Sequence, residues 1–208
     1  MTNPWQEISL SDYENHMSLA SVAQLQALNR LMRGQLSACP ADSVLILGVA
    51  GGNGLEHADP AKYRAVYGVD INPDYLAAVR KRYPQLSGVL RLLELDLIRE
   101  AERLPQAELL IADLLVEYVG YDVFRRCLLA AAPAYVSCVI QINGEGPDWV
   151  SDSPYLHAFD GLEAVHHQME ESRLAALLEE EGFRPLLREE APLPNGKKLL
   201  RLDFRRAE

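Results

Sequence analysis

Gly48, Ala50, Gly51, Gly52 and Gly54 crowd the end of the apolar run Val44 to Leu47, and the segment YGVD then brings a carboxylate at Asp70. Small residues after a buried strand permit a sharp turn into a helix whose free N–H groups face a ligand. A carboxylate that closes the following strand can take both hydroxyls of a ribose. Type and spacing together point to an adenosine-containing cofactor. Two further acids, Asp96 at the end of LLELD and Asp113 in IADLLVEYVGYDVF, close the next two candidate strands. Ligands in open α/β sheets collect at the carboxyl ends of strands, so Asp113, Leu114, Glu117, Tyr118 and Tyr121 are the expected lining of a reaction site.

After the fifth candidate strand comes NGEGPDWVSDSPYLHAF, Asn143 to Phe159, a long connection of the kind that tends to be functional in compact domains. Its Trp149, Tyr155, His157 and Phe159 are expected to shape an acceptor pocket, with Tyr13 to Met17 near the N-terminus as a lid. An acceptor that must lose a proton needs a base, and Glu117, Tyr118 and His157 are the candidates. His166 and His167 are adjacent and expected on a helix, so they cannot both face one site. His, Cys and carboxylate residues show no ligand spacing, and no metal site is expected. Each feature also has a plainer role: the glycines as turn formers, Asp96 as a cap for the segment at Leu97, Tyr121 as helix packing.

The elements that must position these residues alternate. Strands are predicted at Val44 to Leu47, Ala65 to Val69, Val89 to Leu95, Leu109 to Ala112 and Tyr135 to Ile142. Helices are predicted to open at Gly52 to His57, at Asn72-Pro73 with an Asn cap, and from Tyr121 to Ala132. Upstream, Ser21 with Gln24 forms a capping-box pattern, and Val22, Leu25, Leu28 and Met32 recur at helical spacing until Gly34. Toward the end a long helix is predicted from about Leu162 to Glu181. Phe183 to Glu189 and Lys198 to Arg205 then read as two strands joined through Asn195-Gly196. This is the βαβ rhythm of a doubly wound α/β sheet, mostly parallel, with an antiparallel pair at its end.

The chain has 208 residues, 49% of them hydrophobic, which suits one domain over 1–208: an N-terminal helical segment, 1–40, and a Rossmann-like core, 41–208. A net charge of −10 opposes a nucleic-acid partner, because phosphate binding needs clustered Lys and Arg. Cys39, Cys127 and Cys138 have no CxxC spacing and suggest neither a disulfide framework nor a zinc site. No run reaches the roughly 18 apolar residues of a membrane span, and the N-terminus has no basic start followed by an apolar segment. A soluble, cytoplasmic protein with no membrane partner is expected; its oligomeric state is open.

With these residues in place, the chain resembles the class I S-adenosylmethionine-dependent methyltransferases over roughly Ala41 to Arg205. That family has a seven-stranded sheet with a glycine-rich loop after strand one, an acid after strand two and a final antiparallel hairpin. The resemblance implies S-adenosyl-L-methionine as cofactor. Gly48, Ala50 and Gly52 then stand at the loop glycines, Asp70 and Ile71 at the ribose, Asp96 and Leu97 at the adenine, and Asp113 where cofactor and acceptor meet. Two positions depart from the family pattern: Ile46 stands where an acid is usual, and Ala50 replaces the middle glycine.

The function implied is in-line methyl transfer, which can rest largely on aligning acceptor, methyl carbon and sulfur in a pocket that excludes water. A small-molecule acceptor is expected, with a protein acceptor as the alternative. Three rival readings share the loop and the acid: a noncatalytic adenosyl-cofactor-binding domain, an NAD-dependent oxidoreductase and an aminopropyltransferase resembling polyamine synthases.

Overall fold

The computed structural model describes residues 3–143 and 149–207, so Gly144 to Asp148 of the long connection lie outside the described residues. Seven strands form: β1 (Ser43–Leu47), β2 (Ala65–Asp70), β3 (Leu90–Glu94), β4 (Leu109–Asp113), β5 (Tyr135–Ile142), β6 (Phe183–Pro192) and β7 (Lys198–Arg206). They make one sheet in the order β3-β2-β1-β4-β5-β7-β6. The first five are parallel, and β7 runs antiparallel between β5 and β6. The expected α/β sheet with its terminal antiparallel pair is therefore present.

β1 is buried along its whole length because both faces of the sheet are covered. Val44 and Ile46 pack toward α2 (Gln24–Ala38) and α3 (Pro73–Arg82), while Leu45 and Leu47 pack toward α5 (Val116–Ala131) and α6 (Glu171–Glu180). The strand order reverses between β1 and β4, which opens a crevice at their carboxyl ends. Two short elements frame it, α1 (Leu10–Ser18) above and α4 (Leu97–Glu100) beside it. Ser9 caps α1 by accepting from the Asp12 N–H, and Asn72 caps α3 by accepting from Asp74 and Tyr75.

Beneath α2 the sheet carries a buried ion pair. Arg201 donates from Nε to Asp203 Oδ1 at 2.9 Å, and its Nη2 meets Oδ2 at 2.5 Å; Ser137 Oγ donates to Oδ1 as well. The three cysteines are free and buried. Among the described residues no helix is long and apolar enough to cross a membrane.

Three predicted elements differ. No α-helix follows the glycine loop; Leu55–His57 is a single 3-10 turn, because Gly54 is left-handed (φ 93°) and Asp59-Pro60 follow at once. Ser21 does not cap α2. The N–H groups of Val22 and Ala23 bond back to Leu19 O, Ala23 turns left-handed, and Gln24 reaches Gln141 instead of returning to a cap; the helix also runs past Gly34 to Ala38. The long helix from Leu162 is broken. Leu156–Ala164 is a 3-10 segment, and only Glu171–Glu180 is α-helical, since tertiary contacts of His166 and His167 hold the chain between them out of a helix.

Gly52 tests the tightness of the loop. Its φ is 82°, and a Cβ there would lie 2.7 Å from Tyr83 Cε2 and 3.0 Å from Leu55 Cδ1. Gly52→Ala should cost about 2–3 kcal/mol, combining left-handed strain with overpacking. Gly88→Ala, with nothing within 4 Å of the added carbon, should stay within about 0.5 kcal/mol of the parent. Urea unfolding midpoints compare the two; equal midpoints would contradict the described loop.

Candidate functional site

The glycine loop is held from the next strand. Val69 O accepts the N–H groups of both Gly48 and Val49 at 2.9 Å, and the Asp70 carboxylate accepts from Ala50 N at 2.8 Å and from Asn72 N at 2.9 Å. Burial pushes Asp70 up from the ordinary carboxylate range, against the pull of these backbone donors. Ala50 is left-handed (φ 45°) although it carries a Cβ, so the loop keeps a glycine-like path without the glycine. Ile46 points into the apolar layer with Val44 and Ile111, so β1 puts no carboxylate beneath the crevice.

The neighbouring strand does. Ala112 is in register with Leu47, which sets Asp113 beside Gly48 at the top of the sheet. Asp113 Oδ1 accepts from Gln35 Nε2 at 2.7 Å, while its Oδ2 is buried without a partner among the described residues. Burial raises this carboxyl to about 7, with the Gln35 bond opposing. The chain then turns through Leu114, left-handed at φ 52°, into the first turn of α5. Gly120 (φ 77°, ψ 167°) kinks that helix, separating the first turn, with Glu117 and Tyr118, from the regular helix beyond. Glu117 Oε1 accepts from Gln141 N at 2.9 Å, and burial raises its carboxyl to about 7.

One cavity joins these groups. Asp70, Ile71, Asp96, Leu97 and Ile98 line one end, Gly48, Ala50, Asp113 and Leu114 the middle, and Glu117, Tyr118 and Gln141 the other end. The far end is roofed by aromatic rings. Trp5 meets Tyr118 edge-on at 4.9 Å between centroids, and Trp149 stacks on His166 at 3.8 Å. Tyr13, His16 and Phe159 line it as well. The roof is tied down at several points: Asn72 Nδ2 donates to Trp5 O at 3.0 Å, Tyr75 OH donates to Ile8 O at 3.0 Å, His16 Nδ1 lies 2.7 Å from Ser153 Oγ, and Arg82 pairs with Glu14. Burial lowers His166 to about 4, with His167 and Lys197 adding to it, and burial with Lys197 lowers His16. Both rings are therefore neutral near pH 7.

Of the predicted site residues, Gly48, Ala50, Asp70, Ile71, Asp96, Leu97, Asp113, Glu117 and Tyr118 meet in this cavity. Gly52 does not line it; the residue packs against Tyr83, Leu55 and Val79. His157 stands away from it too, its side chain 92% exposed and 3.3 Å from Asp160, because its 3-10 segment turns Phe159 and Leu162 inward. Asp96 lines the cavity and also caps α4, accepting from Ile98 N at 3.0 Å. Tyr121 packs against Glu170 and Arg173. Trp5, Gln35, Gln141 and His166 carry no site assignment from sequence, where Trp5 stands out only as a large ring near the N-terminus and His166 only as one of an adjacent pair. Among the described residues no group of His, Cys, Asp and Glu is arranged to hold a metal.

The strand order, the loop after β1 and the terminal antiparallel pair are those of the class I S-adenosylmethionine-dependent methyltransferase fold. The N-methyltransferase NodS from Bradyrhizobium japonicum WM9, in complex with S-adenosyl-L-homocysteine, is similar at TM-score 0.67 and 15% identity, over 100% of this chain and 100% of that one. The 1,6-didemethyltoxoflavin-N1-methyltransferase of Burkholderia thailandensis, bound to 1,6-didemethyltoxoflavin and S-adenosylhomocysteine, gives 0.65 and 18%, covering 96% and 87%. Magnesium protoporphyrin IX methyltransferase from Synechocystis PCC 6803 gives 0.63 and 11%, covering 89% and 83%. No family model and no curated protein sequence matches the chain.

The raised carboxyls have a consequence for stability. Glu117 binds its proton more tightly folded, at about 7, than at its ordinary 4.5, so the folded state holds more protons in that window and loses stability as pH rises through it. Glu117→Gln removes this dependence and keeps an acceptor for Gln141 N–H. The variant should gain on the parent by on the order of 1–3 kcal/mol between roughly pH 5 and pH 8, read from urea midpoints. Parallel stability curves would show that Glu117 does not titrate in this way.

Proposed function

We propose that the chain is an S-adenosylmethionine-dependent methyltransferase acting on a small-molecule acceptor by in-line transfer. One observation carries the reading: a single cavity runs from the carboxylates at the ends of β2 and β3, past the glycine loop, into an aromatic chamber that contains Glu117. Asp70 Oδ2 accepts from Ala50 N and Oδ1 from Asn72 N, and the carboxylate borders the cavity, which suits a ribose diol. Asp96, Leu97 and Ile98 offer a polar edge and apolar contact for an adenine. The buried, unpartnered Asp113 Oδ2 fits a cationic amino group such as that of the methionine portion, since an unsatisfied buried oxygen is costly until something donates to it.

When bound, this cofactor supplies an electrophilic methyl group on a sulfonium. The chain's own residues hold both partners, exclude water beneath the roof, and provide a proton acceptor at Glu117. The cofactor seen in structures of similar fold supports this reading. The roofed chamber and the net charge of −10 favour a small acceptor over a nucleic-acid strand. The core-facing Ile46 is the one observation that favours a noncatalytic adenosyl-binding domain instead. That reading predicts cofactor affinity without methyl transfer to any acceptor.

Calorimetric titration with S-adenosylhomocysteine tests the assignment. The parent should bind it and should not bind NADH. Asp70→Asn should weaken binding by about 2–4 kcal/mol, the scale of two charge-assisted hydrogen bonds, in protein shown to be folded. His157→Ala should leave both affinity and turnover unchanged. Unaltered affinity in folded Asp70→Asn, or preference for NADH, would overturn the reading.

A further inference from the structure

We propose that the acceptor is a small organic amine, held by its nitrogen against Glu117 inside the aromatic chamber. The inference rests on the methyltransferase reading and names the substrate class of the same site.

The charge of the cavity wall is one-sided. Asp70, Asp96, Asp113 and Glu117 line it, and among the described lining residues there is no Lys or Arg. Lys197 stands behind the wall, its ammonium donating to Trp149 O at 2.7 Å and to Ser151 Oγ at 3.3 Å. The two lining imidazoles, His16 and His166, are neutral. An acceptor bearing a carboxylate or phosphate would thus be brought beside buried acids, while the Lys197 ammonium is already engaged by Trp149 O and Ser151 Oγ. A cation meets the opposite: carboxylates to pair with and electron-rich rings in the lining.

The position of Glu117 separates the acceptor from the cofactor. Asp70 and Asp96 belong to β2 and the turn after β3, whereas Glu117 sits at the other end of the cavity, bonded to β5 through Gln141 N. Its main-chain oxygen takes the His167 N–H, and Gln141 Nε2 donates to Trp149 O, so this carboxylate is built into the same frame as the aromatic rings. Oε1 is engaged by Gln141, and Oε2 has no protein donor among the described residues. An ammonium N–H would complete it. An alcohol could donate one neutral hydrogen bond there and would forgo the ion pairing and the attraction to the rings of Trp5, Tyr118 and Trp149.

The proton balance fits an amine. An entering ammonium gives one proton to the Glu117 carboxylate. The freed lone pair becomes the new N–C bond, the electron pair of the broken C–S bond stays on sulfur, and the product leaves as a methylammonium ion. Glu117 then returns its proton to water. Burial, which raises the proton affinity of Glu117, brings it toward the range needed for that exchange.

The test uses three probes with one skeleton and different head groups: 2-phenylethylamine, 2-phenylethanol and 3-phenylpropionate. Each is titrated calorimetrically into the full chain loaded with S-adenosylhomocysteine, after the affinity of S-adenosylhomocysteine itself has been measured. The amine should bind at least about tenfold tighter than the alcohol, and the carboxylate should bind weakest. In Glu117→Gln the amine should fall to within about threefold of the alcohol, while S-adenosylhomocysteine affinity stays within about twofold of the parent. Trp5→Leu gives a second reading that does not depend on the folding of the first variant: the amine should weaken by about tenfold more than the alcohol.

The inference is overturned if alcohol or carboxylate binds as tightly as the amine, or if the preference survives Glu117→Gln. Equal losses for amine and alcohol in Trp5→Leu also overturn it, as does S-adenosylhomocysteine binding while none of the three probes does. Failure of S-adenosylhomocysteine to bind the parent is a different result, because it removes the methyltransferase reading itself.

Discussion

The carboxylate of Asp70 is the hub on which the site is hung. Removing a carboxylate from water is expensive unless donors replace the lost hydration. Here the donors are main-chain N–H groups, Ala50 from the glycine loop and Asn72 from the start of α3. Asn72 in turn caps α3 and donates to the carbonyl of Trp5, while Tyr75, one turn on, holds the carbonyl of Ile8. Loop, helix and aromatic roof are consequently positioned through one short run of residues. The donors that offset the burial of that charge thus come from segments whose positions it fixes in turn.

Around this hub the backbone departs from regular geometry where it borders the cavity. Ala50 and Leu114 are left-handed without being glycine, and Gly120 breaks α5 between its first turn and the rest. Such conformations cost of order 1–3 kcal/mol each and persist only where the surroundings enforce them. Val69 O enforces the first by taking the preceding two N–H groups, and Val139 O accepts from Leu114 N at 2.8 Å. The regular part of α5 is buried by Phe124 and Leu128, which leaves the displaced first turn free to present Glu117 and Tyr118.

Much of the architecture was legible because its signals are local. A continuous apolar run such as Val44 to Leu47 announces a strand covered on both faces, and two strands around Asn195-Gly196 announce an antiparallel pair. Asp70 follows from an acid that closes the strand after the glycine loop, and Asp113 and Glu117 from the rule that ligands gather at strand ends; the three line one cavity. What was not legible depends on partners distant in sequence. Periodicity carries a helix through His166, but stacking on Trp149 and the bond from His167 N to Glu117 O hold the chain out of a helix there. His157 stood out for its type in an aromatic connection, yet the phase of the 3-10 segment decides which side chain turns inward, and it selects Phe159 and Leu162. Gln35 and Gln141 gave no signal, since a glutamine in a helix or strand is ordinary until its partner across the sheet is known.

The contact between α2 and β7 constrains which sequences can share this fold. The guanidinium of Arg201 lies where a side chain at Gly34 would begin, and it is committed to Asp203, itself bonded to Ser137. A side chain at 34 would begin against Nη1, the arm that reaches Glu189, so the guanidinium would have to shift that arm while Nε and Nη2 hold Asp203. Positions 34 and 201 therefore share one volume. A residue larger than glycine at 34 is tolerated only as far as the buried guanidinium can give way, which ties the choice of residue in a helix to an ion pair in the sheet beneath it.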